Sequence, residues 1–437
     1  MRVAIVGGGV AGLTAAYELG KAGVDVVVLE GSDRIGGKLR LAEVGGVTLD
    51  VGAEALLARR PEATDLCAEL GLGDTVVHPS ATSAAIWTRG ALRPMPPTVL
   101  GIPADVDALM ASGIVDRPPV SRPVPAPKDD VSVGEFVRAG VGDEVLERLV
   151  EPLLGGVYAG HADLLSLSAA GAQILALGED LLAGAAKARA TSEGGPVFAG
   201  LVGGVGRLPS ALAEASGAEI RTEAVVRDIE RAHGGWTLTL VGGTETVDAV
   251  VVAAPGPAAS RLLADTAPEA SFELADLTYA STAIVTFVFD DDLQLAGSGF
   301  LVPPVDGTDI KGATFSSQKW SWLAEPGRTV LRASVGRAGD TALLHHDDTA
   351  VAATALADLR EAAGHLPEPA AWHVQRWGGA LPQYEVGHLD RIAVVERAIA
   401  AEPGLELCGA AYHGVGVPAV IASAHGAVLR LLADLGH

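Results

Sequence analysis

The chain has 437 residues, 49% of them apolar, and a formal net charge of −23 from 31 basic and 54 acidic side chains. That length accommodates two or three packed modules, and the negative field opposes nucleic acid and anionic lipid surfaces. Two cysteines, Cys67 and Cys408, support neither a disulfide framework nor a cysteine metal cluster. A reducing cytoplasm, no bound metal and no nucleic-acid partner are expected. No apolar run reaches the roughly 18 residues of a spanning helix, so no transmembrane segment is expected.

The chain opens with VAIVGGGVAGLTAAYELGKAGVDVVVLE, residues 3–30, which reads as strand, glycine turn, amphipathic helix and strand. The three glycines interrupt the apolar start, which reads as a mature N-terminus and not as a signal peptide. Gly7, Gly9 and Gly12 form GxGxxG, with Gly8, Val10 and Ala11 between them. The first glycine allows the turn and the second lets a pyrophosphate approach the backbone. The third lets helix and strand pack closely. Glu30 ends the second strand, where an acid binds ribose hydroxyls and repels a 2′-phosphate. These residues predict a dinucleotide but do not separate NAD from FAD.

DRIGGKLR, Asp33 to Arg40, is a second glycine cluster whose Arg34 and Lys38 can neutralise phosphate. Prolines crowd residues 87–130, predicting extended irregular chain and a lid or boundary. A helical pattern follows over 132–189, opening on a Ser132 cap with Glu135 in a capping box. LVGGVGRLPSAL feeds a helix from Leu208, residues 218–255 read as strands turning at Gly234-Gly235, and 278–335 alternate as strands. A helix over Thr349–Ala363 is expected, and the chain closes on strand, glycine turn and helix.

Several segments, in order, resemble one group of flavoproteins. DRIGGKLR is similar to the Arg-x-Gly-Gly-Arg/Lys segment of the amine oxidase and protoporphyrinogen oxidase group, and LDVGAEALLARRPE (49–62) to its next strand and turn. GGVYAGHADLLSLSAA (155–170) and WGGALPQYEVGHLDRI (377–392) resemble substrate-side segments of porphyrinogen oxidases. GAAYHGVGVP (409–418) resembles their C-terminal flavin loop, where flavin amine oxidases carry an aromatic cage. One departure is Ser423-Ala424, where the family commonly has Ser-Gly.

The resemblance to flavin-dependent porphyrinogen oxidases implies FAD. It would be held by Gly7, Gly8, Gly9, Val10, Ala11, Gly12, Glu30, Gly31, Arg34, Gly37, Lys38, Gly52, Ala53, Glu54, Ala55, Val226, Gly409, Val415, Gly416 and Val417. The implied class is α/β: a discontinuous Rossmann-like FAD-binding domain, a mixed-sheet substrate domain and a helical cap, as in amine oxidases. The FAD domain would take 1–80, 201–260 and 395–437, the substrate domain 81–98 and 261–394, and the cap 99–200.

The implied chemistry is oxidation of a porphyrinogen in haem biosynthesis by three two-electron steps, with O2 reoxidising the flavin to give H2O2. Flavin N5 accepts hydride from a meso carbon, and no protein catalytic residue is named. Coproporphyrinogen III is favoured over protoporphyrinogen IX, because its four propionates suit a soluble enzyme with a basic cleft. A flavin amine oxidase or carotenoid-type desaturase is the rival class. Arg59, Arg60, Lys311 and Arg376 are the candidates for propionate contacts, with Tyr158 and Tyr384 on the substrate side. His388 reads as packing. A transient hand-off of product to a metal-inserting chelatase is a further expectation, carried by no residue.

Overall fold

A computed structural model describes residues 1–192 and 194–436. Its centre is a five-stranded sheet in the order Glu219–Arg221, Asp25–Leu29, Arg2–Val6, Ala249–Val252, Leu405–Leu407. All of its pairings are parallel. Runs such as VAIV, VVVL and AVVV are buried on both faces, the pattern a covered parallel sheet demands.

Alternate residues of these strands enter different cores. Val3, Ile5, Val26, Val28 and Val251 pack with Leu19 of the helix Val10–Lys21 and with Ala424 and Leu431 of the helix Val417–Asp434. Ala4, Val6, Val27, Leu29, Val250 and Val252 face the other way. There they meet Trp236 and Leu238 of a three-stranded meander and Ile392 of the helix His388–Ala400.

A second, seven-stranded sheet runs Ala371–Pro382, Tyr279–Phe289, Thr329–Val335, Ile310–Phe315, Gly299–Leu301, Ala85–Thr88, Ala91–Pro94. It is mixed: Gly299–Leu301 pairs parallel with Ala85–Thr88 and the other neighbours are antiparallel. The helix Asp348–Ala363 covers it, with Val351, Ala355 and Leu359 against Phe287 and Leu331.

The helical segment differs from the continuous pattern read in the sequence. Ser132 Oγ accepts the Glu135 N–H at 3.0 Å, which starts the helix Val133–Val141. Gly142 at φ +89 then breaks the run. The chain resumes over Asp143–Val145, a π-helical turn at Leu146–Val150 and the helix Glu151–Tyr158. Nor is the proline-rich stretch wholly irregular. It contains the hairpin Ala85–Thr88/Ala91–Pro94 and the helix Val106–Ser112, capped by Asp105, and its longest run without regular structure is 113–131. The prolines lie at strand ends and in loops, where a missing N–H costs nothing.

Among the described residues one helix, Val417–Asp434, is long and apolar enough to cross a membrane by length and composition, with a mean hydropathy of 1.3. Its residues Val420, Ile421, Ala424, Ala427, Val428 and Leu431 are buried, most of them against the first helix and the central sheet.

Candidate flavin and substrate site

The glycine turn follows the first strand directly. Gly7 lies at φ +113, and a Cβ there would meet the Ala253 carbonyl oxygen at 2.8 Å. A Cβ on Gly12 would run into the Gly7 carbonyl oxygen, so helix and strand close together only without one. Gly9 is different: nothing lies within 4 Å of a Cβ built on it. Gly9 opens the helix Val10–Lys21, which has no side-chain cap and no acid in its first turn. The unspent N–H groups and the dipole there favour an anion.

Glu30 stands at the lip of this turn. Its Oε2 accepts the Gly8 N–H at 2.6 Å, and its Oε1 accepts the Ser32 N–H at 2.8 Å and hydroxyl at 2.7 Å. The Ala224 N–H donates to the Glu30 carbonyl at 2.8 Å, which runs the approach to Val226 alongside Glu30 and Gly31. DRIGGKLR folds over the same turn, with the Gly36 N–H donating to the Gly8 carbonyl at 2.8 Å and Gly37 at φ +55 against Gly9. Arg34 donates to the Ile35 and Gly37 carbonyls and lies 6.0 Å from the Trp377 ring. Burial lowers the Lys38 ammonium to about 8. No carboxylate among the described residues answers it, and a phosphate would.

The C-terminal loop joins this cradle from the far end of the chain. Gly409 lies at φ +133 and Gly414 at φ +144. A Cβ on Gly409 would sit 4.0 Å from the Ala11 Cβ, and Val10 and Val417 share one apolar cluster with Leu13 and Ile421. The Gly409 N–H donates to Ser423 Oγ at 3.1 Å, while Ala424 is fully buried in the core, so the alanine of Ser423-Ala424 is accommodated. Gly416 opens the helix Val417–Asp434, again without a side-chain cap or an acid in the first turn. Two uncapped helix N-termini thus lie side by side. An extended anionic group with a glycine-bedded diphosphate fits this arrangement.

The turn Gly52-Ala53-Glu54 packs on Lys38 and on the Trp377 indole, whose Nε1–H donates to the Val51 carbonyl at 3.1 Å. Glu54 pairs with Lys319 at 2.7 Å and with Arg332, and Arg332 also donates to the Gly52 carbonyl at 2.5 Å. Burial alone would raise the Glu54 carboxyl; Lys319 and Arg332 overcome it and hold the group down to about 2. The Glu54 side chain is therefore spent within the protein, and the turn offers its backbone. Ala55 follows, packed against a small apolar cluster that includes Leu49 and Trp320. Asp50 accepts the Val205 and Gly206 N–H groups at 2.9 and 2.8 Å, and burial raises its carboxyl to about 7.

The substrate-side candidates differ in how their polar groups are engaged. Arg59 is exposed and makes no ion pair among the described residues, whereas Arg60 pairs with Glu62 at 2.5 Å. Lys311 is buried, donating to the Val335 and Gly336 carbonyls at 3.1 and 2.6 Å, and burial lowers it to about 7. Arg376 is engaged by Asp348 at 2.7 Å and by the Leu344 and His346 carbonyls. Tyr158 and Tyr384 are buried with ring centroids 5.7 Å apart, and Tyr384 stacks on His388 at 3.9 Å.

The profile of flavin-containing amine oxidoreductases matches residues 10–432. The chain belongs to that family. It is 35% identical to the coproporphyrinogen III oxidase of Mycobacterium tuberculosis, covering 99% of this chain and 97% of the relative. Against the coproporphyrinogen III oxidase of Bacillus subtilis it is 32% identical, over 99% and 98%. A solved structure from Exiguobacterium sp. 255-15, described as a protoporphyrinogen oxidase, superposes with a TM-score of 0.88 at 35% identity, covering 100% of this chain and 99% of that one.

Family membership makes the cofactor a flavin. Several residues that build the site carry no motif of their own: Ser32, Asp50, Lys319 and Arg332. Lys319 and Arg332 lie in unremarkable amphipathic sequence, and their pairing with Glu54 exists only once the second sheet folds against the first. Asp50 had a visible signal, an acid closing a strand just before the Gly52 turn.

Proposed function

We propose that this flavoprotein oxidises coproporphyrinogen III to coproporphyrin III, with protoporphyrinogen IX as the alternative substrate. One observation supports the reading above others: the Gly409–Pro418 loop meets the Gly7–Gly12 cradle, so that a Cβ built on Gly409 would lie 4.0 Å from the Ala11 Cβ. The full-length identity to enzymes named coproporphyrinogen III oxidase supports the choice of macrocycle.

When bound, FAD supplies the hydride acceptor, and O2 regenerates it as H2O2 forms. The chain's own residues bind and orient. Gly7 to Gly12 and Lys38 would hold the diphosphate, Glu30 the ribose, and the backbone near Val226 the adenine. Gly52 to Ala55 and Gly409 to Val417 would bed the ring. We divide the chain accordingly, with FAD-binding segments 1–80, 201–260 and 395–437, substrate segments 81–98 and 261–394, and a cap 99–200. A cytoplasmic site agrees with two buried free thiols.

Among the basic candidates, Arg59 has its guanidinium available for a propionate, with no ion pair among the described residues. It follows Leu57, which pairs across strands with Phe198; these two apolar side chains are 40% and 42% exposed. An apolar macrocycle with charged arms suits such a surface. The test is porphyrin fluorescence appearing under air with each porphyrinogen. Faster turnover of coproporphyrinogen III is expected, and rates no faster than the autoxidation blank for both substrates would overturn the reading.

A further inference from the structure

The segment PQYEVGH and the flavin loop are tied by contacts that the motifs alone do not disclose. Tyr384 is 2% exposed, and its hydroxyl donates to the Ala410 carbonyl at 2.7 Å while accepting the Gly414 N–H at 2.7 Å. Four residues on, His388 is also 2% exposed, and its Nε2 lies 3.0 Å from the Tyr412 carbonyl. A carbonyl only accepts, so Nε2 carries the proton. The two rings stack at 3.9 Å with 14° between their planes. On the other side, Tyr158 and Val415 join Tyr384 in one apolar cluster.

From this geometry we infer that Tyr384 and His388 are positioning residues for the flavin. Together they fix three backbone groups of the loop, at Ala410, Tyr412 and Gly414. Neither ring needs to touch the cofactor. The loop backbone leads straight into the uncapped N-terminus of the helix Val417–Asp434, so its placement sets where that positive dipole end stands relative to the ring. Gly414 at φ +144 has no side chain with which to hold itself, and its N–H is satisfied by Tyr384. Buried backbone groups left without partners would drive the loop to rearrange.

Burial supports the assignment. It raises the Tyr384 phenol far above its ordinary range and lowers the His388 imidazole to about 4. Both rings therefore keep the protonation these bonds require across the working pH range. The Tyr384–Tyr158 contact extends the device from the flavin loop to the helix Glu151–Tyr158, so the clamp also couples cofactor placement to the segment on the substrate side.

The inference rests on the flavin reading, and its experiment reads the cofactor without turnover. Tyr384→Phe keeps the ring and the stacking but removes the hydroxyl; His388→Phe keeps a stacked ring but removes the donor. Each variant is stripped of flavin and titrated with FAD by fluorescence quenching, and the reduction potential and visible spectrum of the bound flavin are recorded. Losing a buried bond of this kind predicts about a tenfold weaker Kd in either variant, with a displaced potential and an altered visible band. His388→Gln, which restores a donor, should recover part of the affinity. A fold defect is read separately from the melting of the apoprotein. If Tyr384→Phe melts as the parent does and binds FAD with unchanged Kd, potential and spectrum, the inference is overturned. If it does not fold, the same criteria applied to His388→Phe and His388→Gln decide. A parent protein that binds FAD but oxidises no porphyrinogen would instead count against the substrate reading alone.

Discussion

Glu54 and Lys319 are 265 positions apart in sequence and 2.7 Å apart in the fold. With Arg332 they join the turn after the strand Val47–Asp50 to the seven-stranded sheet. Both Glu54 and Lys319 side chains are 14% exposed and Arg332 is 7% exposed, so the pairings are shielded from solvent screening. Glu54→Gln leaves two cations facing a neutral amide, and a stability loss of about 3 kcal/mol is expected by denaturant unfolding.

The same triad sets a pH dependence. Because the folded Glu54 carboxyl is held at about 2, below the ordinary value of 4.5, its contribution is complete above that ordinary value. It is lost as pH falls toward 2. The stability gap between parent and Glu54→Gln should therefore shrink below about pH 4, measured by urea unfolding across pH.

Asp50 behaves in the opposite sense. Its folded carboxyl, raised to about 7 from 3.8 chiefly by burial, favours the folded state most at low pH and loses that contribution as pH rises to about 7. Asp50→Asn removes the titration. The melting temperature of the parent minus that of the variant should fall between about pH 4 and about pH 7, and a constant difference would contradict this assignment.

Gly9 and Gly12 separate cofactor binding from folding. Gly12→Ala places a methyl on the Gly7 carbonyl and should destabilise the apoprotein, whereas Gly9→Ala meets nothing within 4 Å. Gly9 lies at φ −76, which alanine adopts freely. The Gly9→Ala apoprotein should melt with the parent yet bind FAD at least about tenfold more weakly, since its methyl takes the space of the diphosphate. Apoprotein melting and FAD titration together check both halves.

Lys38 predicts how affinity varies with pH. Its ammonium, lowered to about 8 by burial, is needed in charged form for a phosphate. FAD affinity should hold below that value and decline above it, toward about tenfold per pH unit at most. Lys38→Met should bind more weakly and show no such decline between about pH 7 and about pH 9.

Much of the glycine turn was legible because its constraints are local. GxGxxG between two β-branched runs dictates a turn where Cβ atoms cannot fit, and the described Gly7 and Gly12 contacts show that crowding. The runs VAIV, VVVL and AVVV are likewise buried along their length in the parallel sheet. The helical segment was harder to read, because apolar periodicity does not reveal that Gly142 takes a positive φ or that Leu146–Val150 widens to a π turn.

The sequence by itself determined the local geometry: which glycines must turn, where helices begin, and which strands are buried. Only the tertiary structure decided the partners of the charged and aromatic side chains. Arg376 and Lys311 look alike in sequence to Arg59, yet the first two are spent on Asp348 and on main-chain carbonyls. Arg59 stays exposed, with no ion pair among the described residues. Tyr384, read in the sequence as a substrate-side residue, has its hydroxyl between the Ala410 carbonyl and the Gly414 N–H, contacts no motif announces. The reason is physical. Backbone sterics act over a few residues and are written in the chain, whereas a buried side chain's role depends on which distant group desolvates it and answers its hydrogen bonds.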